Sequence, residues 1–325
     1  MSGLADTITL ADVEAAAERI STRVRRTPCL RTRYIRNPLR TGPTMLKLEC
    51  LQVTGAFKVR GANNANLQLD NAVLARGVIT ASGGNHGLAV AYAAQASGCP
   101  AVVYLPENTP DDKAAKIRDW GAEVVVEGAV WDDAERAALA CAERDRLAYI
   151  HPFADPAVIA GQGTIAREML KQSPDIDVIV AGIGGGGLIA GVALAAKAIK
   201  PDIRVVGVEP VGAPTLTNSL RQGALVTLDA IDTDANTLAP RRSAEINLAI
   251  VEKYVDDIVL VSDDDMRAGA EWLWFEMGQA VELAGAAAVA AIQTGKASAP
   301  DEQTVAAIVC GTGTAGLPAG SSPPE

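Results

Sequence analysis

Lys58 stands at the first turn of a helix that the sequence predicts from Phe57 onward, in the segment Thr54-Gly55-Ala56-Phe57-Lys58-Val59-Arg60-Gly61. The helix dipole disfavours a cation at that end, so a lysine there is unusual. Most lysines are solvated surface residues, but this one has the apolar neighbours Phe57 and Val59. Because burial lowers the pKa of an amine and makes it nucleophilic, the segment indicates covalent chemistry at Lys58.

A second loop of small polar residues spans Ser82-Gly83-Gly84-Asn85-His86-Gly87, between a predicted strand and a predicted helix. The backbone N–H groups of such a loop converge on an anion, and Ser82 and Asn85 add side-chain donors. His86 is one of only two histidines in the chain. A catalytic base and a structural hydrogen-bonding residue are equally good interpretations of His86, so we do not assign it as the base.

The third loop, Gly182-Ile183-Gly184-Gly185-Gly186-Gly187, also joins a predicted strand to a predicted helix. A plain turn needs one or two glycines, whereas four in a row expose the amides that bind a phosphate. Gly182, Gly184 and Gly187 also satisfy G-x-G-x-x-G, and Glu209 follows 22 residues after Gly187. That pattern is typical of a dinucleotide site with its ribose-binding acid, and taken alone it predicts a nicotinamide-dependent oxidoreductase.

The three loops together favour a different cofactor. A dehydrogenase gives no role to Lys58 or to the 82–87 loop, whereas a phosphate-bearing aldehyde uses all three loops. The amine of Lys58 would form a Schiff base, the glycines 184–187 would hold the phosphate, and the 82–87 loop would seat the ring and a substrate carboxylate. Pyridoxal phosphate is such a cofactor.

Composition limits the remaining function classes. The chain has 325 residues, 49% of them hydrophobic, so it can bury a full core. Its net charge of −10 argues against a nucleic-acid-binding protein, which normally carries a basic surface. The first thirty residues have no apolar signal region, and five cysteines without a CxxC pair fit reduced thiols, so we expect a cytoplasmic location. The uncharged stretch 178–196 has bilayer length, but its six glycines favour a buried strand, turn and helix over a membrane span.

The loops are positioned by strands and helices that alternate along the chain. This alternation predicts an α/β fold of open parallel sheets with helices on both faces, which binds ligands at the carboxyl ends of its strands. The predicted strands are 45–48, 77–81, 101–105, 123–126, 149–150, 177–181, 203–208, 258–261 and 305–310. The predicted helices are 13–20, from 57 onward, 88–96, 112–120, 132–144, 163–170, 188–199, 264–277 and 284–294.

With these motifs, the chain resembles the fold-type II pyridoxal-phosphate enzymes, most closely the serine/threonine dehydratase and serine racemase group. The likeness runs from about residue 9 to residue 314, and its most specific segments are 48–52, 54–62, 81–87, 151–153, 160–164 and 184–187. It implies two open α/β domains of the tryptophan synthase β-like kind. Residues 1–75 and 153–325 would form the large cofactor-binding domain and residues 76–152 a small mobile domain, with the active site in the cleft between them.

The resemblance also implies roles for single residues. Lys58 would be the Schiff-base lysine and the base that removes the α-proton, and Phe57 would pack against the cofactor ring. Asn85 would hydrogen-bond the phenolic oxygen, Cys310 would face the pyridine nitrogen, and Glu282 matches a family glutamate near the ring. The phosphate would be bound by four backbone amides, those of Gly184, Gly185, Gly186 and Gly187. The substrate carboxylate would be held by the second loop, through Ser82, Gly83, Asn85 and His86.

The implied reaction is elimination of water from a β-hydroxy L-amino acid, L-threonine or L-serine by default, to give a 2-keto acid and ammonia. Gly83 stands where racemases of this group carry a serine on the second face, which favours dehydration over racemisation. Departures from the family at Cys50, Ala56 and Thr237 leave open a bulkier or modified substrate, such as 3-phenylserine, 3-hydroxyaspartate or a hydroxyectoine-derived acid. An NAD-dependent oxidoreductase and a non-catalytic amino-acid-binding protein remain the alternatives from other classes.

A divalent cation is a doubtful second cofactor. Many relatives hold one on three ligands after the strand that corresponds to 203–208. Glu209 and the carbonyl of Ala213 match two of these ligands, but Thr215 stands in place of an aspartate, so a cation site there is only weakly indicated. As partners we expect a small-molecule amino acid and a second copy of the chain in a homo-oligomer, a dimer, and neither nucleic acid nor a membrane.

Overall fold

The computed structural model describes residues 3–33, 35–107, 109–314 and 316. Within them the chain forms ten strands in two sheets with helices packed against them, so the α/β prediction is confirmed. The strands are β1 (Cys29–Arg31), β2 (Thr44–Leu48), β3 (Val78–Ala81), β4 (Ala101–Leu105), β5 (Glu123–Val126), β6 (Ala148–Tyr149), β7 (Ile176–Gly182), β8 (Arg204–Pro210), β9 (Asp257–Val261) and β10 (Thr304–Val309).

The helices lie between the strands and begin with recognisable caps. Thr9 and Asp12 form the capping box that starts the first helix. The helices of the described residues are α1 (Leu10–Arg19), α2 (Lys58–Asn66), α3 (Asn71–Arg76), α4 (Asn85–Ser97), α5 (Asp111–Asp119), α6 (Trp131–Asp145), α7 (Pro156–Gln172), α8 (Gly187–Ile199), α9 (Thr215–Gln222), α10 (Glu245–Tyr254), α11 (Asp263–Met277) and α12 (Leu283–Gln293).

The six-stranded sheet has the order β1-β2-β10-β7-β8-β9. All its neighbours are parallel except β1 and β2, which pair antiparallel with Cys29 opposite Lys47. The sheet is thus parallel, as predicted, except at this edge, where the three residues of β1 add an antiparallel strand that the sequence pattern did not predict. The carboxyl ends of β2, β7 and β10 lie together and lead into Lys58, the glycine loop and Cys310.

The four-stranded sheet has the order β5-β4-β3-β6, and all its pairs are parallel. The carboxyl end of β3 leads into the 82–87 loop, and the end of β4 leads into residues 106–110. All four strands fall within residues 78–149, inside the range 76–152 that the sequence assigns to a small domain. The domain boundaries themselves stay a prediction.

Helix α7 begins at Pro156, seven residues earlier than predicted, because glycines that suggested a loop are instead packing sites. A Cβ on Gly161 would lie 2.6 Å from the Cα of Gly61 in α2, and one on Gly163 would lie 2.9 Å from the carbonyl of Gly191 in α8. These glycines let α7 approach both helices at backbone distance. Helix α7 thereby fixes the helix that begins with Lys58 relative to the helix that follows the glycine loop.

No helix in the described part of the chain is long and apolar enough to cross a membrane. The uncharged stretch 178–196 is divided into the end of β7, the glycine turn and most of α8, as the sequence predicts.

Candidate active site

A cavity of about 520 Å³ brings the three loops together. It is bordered by the carboxyl ends of strands from both sheets, the place where a parallel sheet binds ligands. The cavity is lined by every residue that the sequence assigned to the cofactor or substrate: Phe57, Lys58, Ser82, Gly83, Asn85, His86, Gly184, Gly185, Gly186, Gly187 and Cys310. The weak cation candidates Glu209, Ala213 and Thr215 do not line it.

Lys58 is positioned by a strained turn that is bonded to the end of β10. Thr54 has a φ of 64° and Gly55 a φ of 84°, both in the left-handed region. The carbonyl of Gly55 accepts a 2.8 Å hydrogen bond from the N–H of Thr312, and the N–H of Phe57 donates to the carbonyl of Cys310 at 3.1 Å. The start of α2 is therefore held against β10, with Lys58 facing the cavity.

The amine of Lys58 has one hydrogen-bond partner among the described residues. Its Nζ donates to the carbonyl oxygen of Pro152 at 2.7 Å and lies 5.3 Å from the ring centroid of Phe57. Burial lowers the pKa of Lys58 to about 8, although the nearby Cys310 and Glu282 oppose that shift. Near neutral pH a minor fraction of this amine is therefore unprotonated, but a far larger one than in a solvated lysine, as a nucleophile or base requires.

The glycine loop has the geometry of a phosphate cradle. None of the N–H groups of Gly184, Gly185 and Gly186 has a hydrogen-bond partner within the described residues, and Gly187 opens the 13-residue helix α8. Gly186 has a φ of 97°, and a Cβ on Gly184 would lie 2.7 Å from the carbonyl oxygen of Thr237. Free amides at a helix N-terminus match the oxygen acceptors of a phosphate, so these residues fit the phosphate of pyridoxal phosphate.

The carbonyl side of the same loop is anchored by α10 and the residues just before it. The carbonyl oxygen of Gly185 accepts hydrogen bonds from Asn247 Nδ2 at 2.7 Å and from Ser243 Oγ at 2.9 Å. The ring of Phe153 fills the space where a Cβ on Gly185 would be. These contacts turn the carbonyl away from the cavity and leave the amides facing it.

The 82–87 loop places a helix N-terminus and two side chains at the cavity. Ser82 Oγ accepts from the N–H of Gly84 at 3.3 Å, and Asn85 is the first residue of α4. His86 Nε2 lies 3.0 Å from the carbonyl oxygen of Ile150, to which it donates as Nε2–H. Burial, together with the charge of Lys58, lowers the pKa of His86 to about 3, so it is neutral. The geometry favours the structural interpretation of His86 over that of a base.

Asn85, Glu282 and Cys310 form the polar end of the cavity. Asn85 donates through Nδ2 to Oε1 of Glu282 at 2.7 Å, and burial raises the pKa of Glu282. The thiol of Cys310 donates to the carbonyl of Ala284 at 3.3 Å. Burial, and then the nearby Glu282, raise the pKa of the Cys310 thiol well above its ordinary value, so it stays protonated.

Glu209 is a helix cap in this structure. Its Oε1 accepts from the N–H of Leu216 at 2.7 Å, and its Oε2 accepts from the N–H and the hydroxyl of Thr217 at 2.9 and 2.7 Å. Both carboxylate oxygens are thus used at the start of α9, away from the cavity. These contacts give Glu209 a structural role that needs neither the ribose of the dinucleotide pattern nor a cation.

The cavity is also lined by residues that the sequence did not assign to it, among them Thr109, Trp131, Pro152 and Arg241. Thr109 and Trp131 follow β4 and β5, so the rule that ligands meet strand carboxyl ends could have found them. Trp131 is fixed there by a 2.9 Å bond from Nε1 to the carbonyl of Ala81. Pro152 acts through its backbone carbonyl, for which side-chain chemistry gives no signal.

A smaller cavity of about 360 Å³ lies between α1 and α7, above a buried network of charges. Its floor is Arg60, whose guanidinium bonds to the carboxylates of Glu49 and Glu168 and to Thr164. Lys47 joins the network at Glu168 with a 2.7 Å bond. Because the donors of Arg60 are already used, we assign this cavity a structural role in holding α2 to α7.

Comparisons with known proteins agree with pyridoxal phosphate as the cofactor. Residues 20–311 match the family described as pyridoxal-phosphate dependent enzyme. The L-threonine ammonia-lyase of Thermotoga maritima is 39% identical over 285 residues, which cover 88% of this chain and 71% of that protein. The solved structure of maize serine racemase superposes with a TM-score of 0.89 at 35% identity, covering 94% of this chain and 93% of that one. The processed form of threonine deaminase isoform 2 from Solanum lycopersicum gives a TM-score of 0.89 at 36% identity, covering 94% and 83%. The chain therefore belongs to the pyridoxal-phosphate-dependent enzymes of fold type II, and its cofactor is pyridoxal phosphate.

Proposed function

We propose that this chain is a dehydratase that eliminates water from a β-hydroxy L-amino acid, with L-threonine and L-serine as its default substrates, and releases a 2-keto acid and ammonia. The observation that carries the proposal is the buried amine of Lys58, which has a lowered pKa and lines the same cavity as the free amides of the glycine loop. The similarity to threonine ammonia-lyase and threonine deaminase supports it.

The side chains have separable tasks under this proposal. When bound, pyridoxal phosphate supplies an electron sink that acidifies the α-proton of an amino acid. Lys58 Nζ accepts that proton, because its lowered pKa keeps part of the amine unprotonated. The amides of the glycine loop 184–187 would bind the phosphate, and the Cys310 thiol would face the pyridine nitrogen. Ser82 and Asn85 hold the substrate carboxylate at the start of α4.

The contact between Gly83 and Thr109 favours elimination over racemisation. A Cβ on Gly83 would lie 2.6 Å from the hydroxyl oxygen of Thr109, so Thr109 occupies the space that a larger side chain at position 83 would need. Without a side chain there, the second face of the substrate has no acid at that position. The similarity to serine racemases therefore supports the fold and the cofactor more than the racemisation reaction.

Purified protein with pyridoxal phosphate should release equal amounts of 2-keto acid and ammonia from L-threonine or L-serine. Lys58→Ala should lose the visible absorbance band of the bound cofactor and lower the rate by at least about 10²–10⁴-fold, the contribution of a general base. The matched control is Lys296→Ala, which removes a surface lysine paired with Asp265 and should keep both. Full ammonia release by Lys58→Ala would contradict the proposal.

The same assay separates the other candidates. A panel with 3-phenylserine, 3-hydroxyaspartate and a hydroxyectoine-derived acid identifies the preferred β-substituent through the rate of keto-acid release. A nicotinamide-dependent oxidoreductase would instead consume or form NADH without a band that borohydride bleaches. A non-catalytic amino-acid-binding protein would bind the amino acid and release no ammonia.

We further propose that the chain acts as a homo-oligomer, a dimer, in the cytoplasm. Trp274 and Phe275 are 38% and 64% exposed at the end of α11, an apolar surface of the kind that a second copy covers. The five cysteines, all within the described residues, are free thiols, which suits a reducing compartment. A monomer mass from light scattering would contradict the dimer. Recovery of the protein in an osmotic-shock fraction would contradict the cytoplasmic location.

A further inference from the structure

His151 lies just outside the cavity, in the turn between β6 and α7. Its Nδ1 accepts two backbone hydrogen bonds, from the N–H of Ala154 at 2.9 Å and from the N–H of Phe153 at 3.2 Å. Pro152 has no N–H, so this single ring nitrogen takes both of the donors that residues 152–154 offer. A nitrogen that accepts two bonds carries no proton, so the proton of the neutral ring is on Nε2.

The other side of the ring is arranged to keep that tautomer. Oε1 of Glu135 lies 3.6 Å from His151 Nε2, and the same oxygen accepts from the hydroxyl of Tyr149 at 3.0 Å. A carboxylate facing Nε2 favours a proton there and leaves the Nδ1 lone pair free. The rings of Tyr149 and Phe153 pack edge-to-face on His151, with centroids at 6.0 and 4.6 Å, and fix its plane.

Two successive carbonyls of the turn reach the two halves of the cofactor site. The carbonyl of Pro152 accepts the 2.7 Å bond from the amine of Lys58. The carbonyl of Phe153 accepts from Asn247 Nδ2 at 3.1 Å, and the same Nδ2 donates to the carbonyl of Gly185 at 2.7 Å. The orientation of one short turn therefore sets the position of the reacting amine and of the phosphate cradle together.

We propose that His151 is a positioning residue: by accepting two backbone bonds at Nδ1 it holds the 151–154 turn, which aims the carbonyl of Pro152 at Lys58 and, through Phe153 and Asn247, fixes the glycine loop. His151 itself touches neither the cavity nor the reacting atoms. The proposal depends on the proposed function only in taking Lys58 as the lysine that binds the cofactor. It needs no assumption about which amino acid is the substrate.

The test compares His151→Asn with His151→Gln, a matched pair of polar amides. The Oδ1 atom of asparagine lies where Nδ1 lies and accepts from residues two and three positions ahead, as in an Asx turn. The Oε1 atom of glutamine reaches the position of Nε2 instead. Tyr149→Phe is the control, because it leaves both bonds to Nδ1 in place.

The readout is the growth of the visible absorbance band after pyridoxal phosphate is added to cofactor-free protein, which gives a rate and a Kd. His151→Gln should slow the growth of the band and raise the Kd for pyridoxal phosphate by about tenfold, the effect of losing one net hydrogen bond. His151→Asn and Tyr149→Phe should stay within about threefold of the parent protein. Thermal unfolding of each cofactor-free variant reports whether it folds.

Two results would overturn the proposal. If His151→Gln binds the cofactor like the parent protein, the Nδ1 bonds do not position the site. If His151→Asn is as impaired as His151→Gln, the packing of the ring matters and the acceptor does not. Because band formation uses no amino-acid substrate, a normal band in a protein that fails to turn over threonine would count against the proposed substrate only.

Discussion

Asn85 and Glu282 meet across the cavity, where Asn85 Nδ2 donates to Oε1 of Glu282 at 2.7 Å although 197 residues separate them in the chain. Asn85 opens α4, which packs on the four-stranded sheet, and Glu282 precedes α12, which packs on the six-stranded sheet. The hydrogen bond therefore joins the two sheets at the site. The second N–H of the Asn85 amide would be free for the phenolic oxygen of the cofactor, the role proposed for Asn85.

This contact predicts different effects for two substitutions of Glu282. Glu282→Gln keeps an oxygen that accepts from Asn85, so the free energy of unfolding should change by less than about 1 kcal/mol. Glu282→Ala leaves the buried amide of Asn85 without its acceptor and should lower that free energy by about 1–3 kcal/mol. Urea unfolding of the cofactor-free variants measures both values. Equal losses would show that the charge of Glu282, and not its acceptor oxygen, stabilises the contact.

The glycine loop predicts a substitution that blocks the cofactor. A Cβ on Gly185 would overlap the ring of Phe153, so Gly185→Ala should weaken binding of pyridoxal phosphate at least about tenfold and destabilise the fold by about 1–3 kcal/mol. Gly182→Ala is the matched control, because its Cβ would meet nothing closer than 3.5 Å. Titration of the visible band gives both affinities. A normal affinity for Gly185→Ala would mean that the loop tolerates displacement of Phe153.

The lowered pKa of Lys58 predicts a cost in stability. Folding lowers this pKa from 10.5 to about 8, so below about pH 8 the cofactor-free fold holds a charge that burial disfavours. Lys58→Met should therefore raise the free energy of unfolding at pH 7 by about 1–2 kcal/mol while abolishing activity.

The gain from Lys58→Met should depend on pH with a definite sign. Between about pH 8 and 10.5 the unfolded parent chain binds a proton on Lys58 that the folded chain releases, so the parent gains stability as the pH rises. The difference between the two proteins should then shrink towards zero at pH 10. Urea unfolding at pH 7 and pH 10 measures it, and a difference that grows with pH would contradict the burial of this amine.

The sequence predicts the loops of the site better than the residues that anchor those loops. Lys58, the 82–87 loop and the glycines 184–187 stand out because glycine, lysine and small polar residues at strand ends have a chemistry that can be recognised locally. All of them line one cavity. Helix α10 was not predicted at all, although its Asn247 anchors the glycine loop, because an asparagine in a helix has no local signal for a partner 62 residues away.

Two further features show the same limit of local sequence patterns. The sequence predicts the start of α7 seven residues too late, because Gly161 and Gly163 resemble helix breakers until the facing Gly61 and Gly191 are known. Glu209 matched two ligand patterns by spacing, yet its contacts are those of a helix cap. Long-range packing decides both cases, and spacing along the chain does not contain it.

The contact between Gly83 and Thr109 predicts how racemisation could be introduced. Gly83→Ser alone should be poorly tolerated, since its Cβ would lie 2.6 Å from the hydroxyl oxygen and 2.9 Å from the methyl carbon of Thr109. With Thr109→Ala the nearest remaining atom is a Cβ at 3.3 Å, so the double variant should fold, with a loss of stability below about 1 kcal/mol. The serine hydroxyl would then face the second side of the substrate and exchange a proton there. Chiral chromatography of L-serine incubations should detect D-serine with the double variant. It should detect none with the parent protein or with Thr109→Ala. A double variant that folds, binds pyridoxal phosphate and forms no D-serine would show that position 83 does not decide between elimination and racemisation in this site.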